Sequence, residues 1–333
     1  MTPPSRTALI TAFATIYLVW GSTYLGIRVA VETLPPFLMA GARFLAAGAV
    51  LAGWLAATRG FHATARQWRD NAVIGSFLLL GGNGLVAWAE QFIPSGLTAL
   101  MIGATPLMMV LTEWAWPGGH RPTAITGIGL LLGIAGVAWL AAPWESPAGG
   151  GQNLGGVAAI LAACVFWALG SIYGRRIRQP AEPLTASALQ MLGGGAALML
   201  AASAHGDLAG FSLAAVSARS WRAFAYLILV GSLVGYSTFV WLMKHSTPAR
   251  VSTYAYVNPV VAVFLGWLIL GEPVSARTLA AAAVIVISVA IITTQRSRST
   301  AAAPGEPGRP RPAAKLLPLK IGRSSLKAGG SSE

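Results

Sequence analysis

Ten apolar stretches of about 17–25 residues succeed one another along the chain, at 8–27, 37–57, 71–90, 96–116, 124–141, 154–174, 184–204, 221–243, 251–270 and 276–294. At about 1.5 Å of rise per residue, such stretches cross the hydrocarbon core of a bilayer as α-helices. Helix breakers separate them: Pro35-Pro36, Pro94-Ser95-Gly96, Pro117-Gly118-Gly119, the segment 143–151 and Gly271-Glu272-Pro273. Most connectors are short, which predicts that consecutive helices are antiparallel neighbours.

The pattern is written twice. Trp20-Gly21-Ser22-Thr23-Tyr24 is echoed by Trp167-Ala168-Leu169-Gly170-Ser171-Ile172-Tyr173, and Trp88, Pro106 and Trp114 recur at an offset of 153 as Trp241, Pro259 and Trp267. Five spans per half is an odd number, so the second half enters the membrane in the opposite sense. The expected fold is an all-α integral membrane protein of ten transmembrane helices in two inverted-topology five-helix repeats, 1–142 and 143–294. Residues 295–333 lack apolar periodicity and read as a disordered basic tail.

Composition supports the membrane class. Only 10% of residues are charged, against roughly 25% in a soluble protein. The net charge of +13 does not indicate nucleic-acid binding, because the basic residues lie in short loops and the tail rather than in a stripe. With the N-terminus cytoplasmic, the inner segments before the tail hold ten Lys and Arg, against five outside or within spans. The positive-inside rule then puts both termini in the cytoplasm of a multi-pass protein.

Polar groups inside spans carry the functional information, since hydrocarbon offers them no water. Asn83 lies midway along the third span, Gln190 inside the seventh, and Asn258-Pro259 is expected to interrupt the ninth, with Thr105-Pro106 at the matching place in the fourth. Pro106 and Pro259 free mid-membrane carbonyls, either for a polar cavity or as plain kinks. Tyr254 and Asn258 share a helix face, and either asparagine could instead make an interhelical hydrogen bond. Trp20, Trp114, Trp139 and Trp221 fall near span ends, as an aromatic belt does. Arg43 is expected to snorkel to the outer interface. Glu90 falls at the outer end of the third span, and no Asp or Glu lies near a span centre, which argues against a proton relay. The lone Cys164 and four scattered histidines form no metal site. Neither a catalytic constellation nor a P-loop is present, so no enzymatic activity and no cofactor are expected.

With Trp20-Gly21-Ser22-Thr23-Tyr24 in the first span, Arg43-Phe44 in the second, Asn258-Pro259 in the ninth and Gly271-Glu272-Pro273 before the tenth, residues 7–294 resemble the EamA family of the drug/metabolite transporter superfamily. The resemblance implies a secondary transporter in the bacterial inner membrane, moving small organic solutes (amino acids, metabolites or cationic drugs) by alternating access, most often outward. It also implies a central cavity lined by Asn83, Trp88, Tyr236, Trp241, Tyr254, Tyr256 and Asn258, with Trp20 and Trp167 nearby. The first half lacks a counterpart of Glu272, which puts in doubt any gating role for that residue in both halves. Trp20, Tyr24, Trp167 and Tyr173, as symmetric motif copies, are assigned to gating with Pro106 and Pro259. The expected partners are a small-molecule substrate and the lipid bilayer, without nucleic acid; a homodimer stays open. The alternatives are a lipid or lipid-linked-metabolite flippase and a non-transporting membrane scaffold.

Overall fold

A computed structural model describes residues 4–302 apart from 118, 120, 142–152, 247 and 252. Helix accounts for 81% of the structure, and no strand occurs among the described residues. Backbone polar groups in lipid are thereby satisfied within their own segments. In chain order the apolar helices are Arg6–Ala30 (α1), Pro36–Thr58 (α2), Ala65–Ala89 (α3), Ser95–Ala115 (α4), Ala124–Ala141 (α5), Leu154–Gly174 (α6), Pro183–His205 (α7), Ala218–His245 (α8), Tyr254–Leu270 (α9) and Ala276–Ala302 (α10). Eight are long and apolar enough to cross a membrane, whereas α5 and α9 are shorter. The last helix continues past the expected boundary at 294; the tail from 303 onward lies outside the described residues.

Local sequence sets the helix starts. Ser5, Asn153 and Ser217 cap α1, α6 and α8 with their own side chains, and Thr64 with Gln67 forms a capping box on α3. Helices α2 and α4 begin after Pro35 and Pro94, which offer no capping side chain. Each takes a carboxylate from far along the chain instead. Asp207 Oδ2 accepts from the amides of Phe37 and Leu38 at 2.8 and 2.9 Å, and Glu272 accepts from those of Ser95 and Gly96 at 2.8 and 2.9 Å. These contacts bring Ala30, Ser95, Asp207 and Leu270 to one end of the bundle, termed the upper end. The lower end carries the ion pairs Arg59–Glu182 (3.7 Å) and Arg175–Glu113 (4.0 Å).

Packing corrects the expectation that consecutive helices are the main neighbours. Helix α2 lies along α7, α5 along α10, and α1 along α9, while α4 packs on α9 and α6 and α3 on α6 and α7. The physical reason is where the small residues fall. A methyl group at Gly75 of α3 would overlap the Gln190 carbonyl of α7, and one at Gly194 would overlap the Gly75 carbonyl. The two backbones touch directly, as small-residue faces allow in membranes. A buried polar chain crosses the same contact: Gln190 donates to Asn71 Oδ1 at 2.8 Å and accepts from the Tyr236 hydroxyl.

Three helices are irregular. Helix α3 becomes a π-helix over Ser76–Gly84 and α8 over Leu227–Tyr236, within glycine-rich sequence. Helix α4 breaks at Gly103-Ala104 and restarts at Thr105, with Pro106 in its first turn. Proline suits that place, because first-turn amides have no intrahelical partner. Pro259 behaves otherwise. Helix α9 runs through it unbroken, so the expected interruption lies upstream of Tyr254. Pro259 removes one backbone bond in the second turn without ending the helix.

Candidate functional site

A cavity lies where these irregularities meet. Space open to the centres of water-sized molecules is about 80 Å³, several times the roughly 10–15 Å³ that one water needs. Its wall takes Gly82 and Asn83 from the π-segment of α3, Gly231 and Tyr236 from that of α8, and Thr105 from the restart of α4. Such π-segments frequently mark functional sites, because the register shift leaves carbonyls without their normal partners. Asn83 Nδ2 reaches the Leu78 carbonyl five residues back, at 3.3 Å.

The lower part of the cavity is aromatic. The Trp20 ring lies 5.9 Å from Trp167, 5.1 Å from Tyr254 and 4.8 Å from Phe239, the first two edge-on. Trp20 therefore does not belong to the interfacial belt; α1 turns it inward against α6 and α9. Trp114, Trp139 and Trp221 are 49%, 45% and 39% exposed, as bilayer-facing residues should be.

Among the described residues, the only charged one in the wall is Arg43. It does not snorkel. The side chain is 4% exposed, Nε donates to Ser232 Oγ at 2.7 Å, and the guanidinium carbon stands 4.6 Å above the Phe44 ring. Helix α2 presents Arg43 toward α8, and a polar hydroxyl beside a cavity is a better partner than lipid. Its terminal nitrogens have no protein acceptor among the described residues. They are charged donors in a wall that otherwise holds the amides of Asn83 and Asn258, the hydroxyls of Thr23, Thr105 and three tyrosines, and apolar groups.

Asn83, Tyr236, Tyr254 and Asn258 all line the cavity, as do Trp20, Tyr24 and Trp167. Trp88 and Trp241 do not: Trp88 packs on Phe92 and Trp241 stacks on His245 at 4.3 Å. The Tyr256 side chain lies outside the described residues. Tyr173 sits low in the bundle, its hydroxyl 3.5 Å from Asp70. Pro106 and Pro259 lie behind the wall, and Pro259 packs near Gly103 at the break in α4. Asn258 is 4% exposed. With its amide oriented to donate, its nitrogen reaches the carbonyls of Tyr17 and Tyr254 at 3.2 Å each, so it ties α9 to α1.

The sequence matches the EamA-like transporter family over residues 7–142 and 154–294. The chain belongs to the EamA-like transporter family. It is 37% identical to the uncharacterized inner membrane transporter YedA of Escherichia coli K12, over 86% of this chain and 90% of YedA. It is 28% identical to the uncharacterized transporter YvbV of Bacillus subtilis 168, over 91% and 96%. A solved crystal structure aligns with a TM-score of 0.62 at 24% identity, covering 89% of this chain and 99% of the other; that likeness concerns the fold alone.

For an EamA-like chain built this way, two site features escape sequence reading. Arg43 lies near a predicted interface and reads as a snorkelling residue, since the rotation of α2 is invisible in a helix apolar on every side. The π-segments leave no pattern beyond their glycines. The signal that could have found Arg43 is its pairing with Ser232, a hydroxyl midway along the eighth span.

Proposed function

We propose that this EamA-like transporter exports small organic solutes bearing a carboxylate or comparable anion across the bacterial inner membrane, by alternating access. The observation that carries this reading is Arg43, buried in the cavity wall with its terminal nitrogens unpartnered. A desolvated guanidinium favours a planar anion, which it can grip with two parallel hydrogen bonds. The aromatic floor of Trp20, Trp167 and Tyr254 suits an apolar or ring-bearing remainder, and Asn83 can serve a neutral polar group. Zwitterionic amino acids and organic acids fit this arrangement; organic cations would meet repulsion from Arg43.

The pseudo-two-fold reading has three supports. The family match falls on two stretches of similar length, one in each proposed half. The π-segments occupy matching places in α3 and α8. The α1–α9 packing has its counterpart in that of α6 with α4. Rocking of residues 1–142 against 143–294 would then expose the cavity alternately at the two ends. The distribution of Lys and Arg supports the reading in which the upper end is the exterior and both termini are cytoplasmic. Outward transport is the direction the family resemblance implies.

Counterflow in proteoliposomes against a panel of labelled amino acids, organic acids and cationic dyes tests the proposal. Exchange of an anionic or zwitterionic solute that Arg43→Ala abolishes is the expected result. Cation exchange indifferent to Arg43→Ala would overturn it.

A further inference from the structure

Glu90, the residue directly after α3, is 0% exposed, and neither of its carboxylate oxygens has a hydrogen-bond partner. No other acid in the described chain is left this way. Its carbonyl, not its carboxylate, takes the Arg28 guanidinium. The charged and titratable groups facing it are Tyr24 and Arg28 from α1, Arg43 from α2 and Glu272 after α9. Helix α6 carries no charged residue, and the one acid of α4, Glu113, lies at its opposite end.

The position is as informative as the burial. Asn83 lies seven residues before Glu90, two turns down α3, and Tyr24 lines the cavity from α1. Above Glu90 opens a groove at the upper end lined by Arg28, Glu32, Pro94, Arg219 and Glu272. Glu90 thus stands in the seal between the cavity and the upper surface. An ionised carboxylate without a donor, sealed from water, is strongly disfavoured. Burial is the largest effect on this carboxyl; the neighbouring Glu272 adds repulsion, while Arg28 and Arg43 pull the other way. Burial in the closed arrangement therefore raises the affinity of the Glu90 carboxyl for a proton.

We propose that Glu90 is a proton-binding site at the upper gate, and that loading its carboxylate with a proton from the upper surface is what allows the gate to close. Opening admits water to the carboxyl, which releases its proton to that water and is left as a carboxylate beside Arg28. Closure requires the proton back. Acidity on the upper side then shifts the population toward the closed form by mass action. The inference rests on the proposed reading that the cavity opens at the upper end, but not on any solute, so it can fail separately.

The test uses the full chain in liposomes and needs no transported ligand. Infrared difference spectra between acidic and alkaline buffer should show a protonated carboxyl band at neutral pH that Glu90→Gln removes; with ten acidic residues in the chain, one band is assignable by substitution. A wild-type spectrum without the band, or one that Glu90→Gln leaves unchanged, would overturn the proposal. In a Cys164→Ser background, a cysteine replacing Val86 in the cavity reports gate opening through an impermeant thiol reagent, normalised to a cysteine replacing the exposed Leu213. Labelling should rise with pH, stay low and flat with Glu90→Gln, and keep its pH response at a shifted midpoint with Glu90→Asp. A wild-type pH response retained in Glu90→Gln would remove the gating role.

Discussion

The carboxylate of Glu272 accepts from both the backbone amide and the hydroxyl of Ser95, at 2.8 and 2.9 Å. One residue beyond the left-handed glycine that ends α9 thus caps the start of α4, 177 positions earlier. A methyl group at Gly266 would strike the same carboxylate, so the close fit of α9 on α4 depends on this corner. Glu272→Ala is expected to lower stability by ~1.5–3 kcal/mol, the range for hydrogen bonds to a charged group. Glu272→Gln should lose less, since one amide oxygen still accepts. Thermal unfolding in detergent checks the order wild type, Gln, Ala.

Gly75 and Gly53 give a paired contrast. A methyl group at Gly75 meets the Gln190 carbonyl, which is backbone and cannot turn aside; one at Gly53 meets nothing within 4 Å. Gly75→Ala should destabilise by ~1–3 kcal/mol or block assembly of α3 on α7. Gly53→Ala should be neutral or stabilise by up to ~1 kcal/mol through helix propensity. Equal thermal shifts for the two would contradict the packing described here.

These glycines also show how far the sequence could be read. The spans were legible because a bilayer demands long apolar runs, and the break at Pro106 because proline at a helix restart is local chemistry. What a helix faces was not. In helices apolar all round, periodicity carries no rotation, so Trp88 and Trp241 read as cavity residues while Arg43 read as interfacial. Glu90 sits at a span end, where sequence alone suggests contact with water. Only the tertiary arrangement of α1 and the segment after α9 shows that it is covered. Asn83, Tyr254 and Asn258 were legible because an amide or phenol inside a span must find some polar company.

The Asn71–Gln190–Tyr236 chain allows a coupled test. Gln190→Leu removes a donor and an acceptor at once, leaving the Tyr236 hydroxyl and Asn71 Oδ1 without partners in a dry contact. Each orphaned group costs ~1–3 kcal/mol. Adding Tyr236→Phe removes one of the orphans, so the double variant should be more stable than Gln190→Leu alone. A double-mutant cycle on unfolding temperature measures this, and simple additivity would mean that the two side chains do not interact.

Arg43 and Ser232 separate charge from placement. Arg43→Ala removes the one cation among the described residues of the wall, and binding of an anionic solute should weaken by ~10- to 100-fold, as for loss of a charged hydrogen bond. Arg43→Lys keeps the charge but has neither the planar fork nor Nε for Ser232, so it should restore only part of that loss. Ser232→Ala leaves the guanidinium in place and frees its orientation, an effect of about 1 kcal/mol, or ~5-fold. The quantity to follow is quenching of tryptophan fluorescence on solute addition, because Trp20 and Trp167 line the same cavity. The expected order of affinity is wild type, Ser232→Ala, Arg43→Lys, Arg43→Ala. If Arg43→Lys binds as tightly as wild type, the guanidinium acts as a bare charge and no two-pronged contact with the solute is made. If Ser232→Ala falls as far as Arg43→Ala, the hydroxyl itself touches the solute, and the site extends further along α8 than the Arg43 contact alone indicates.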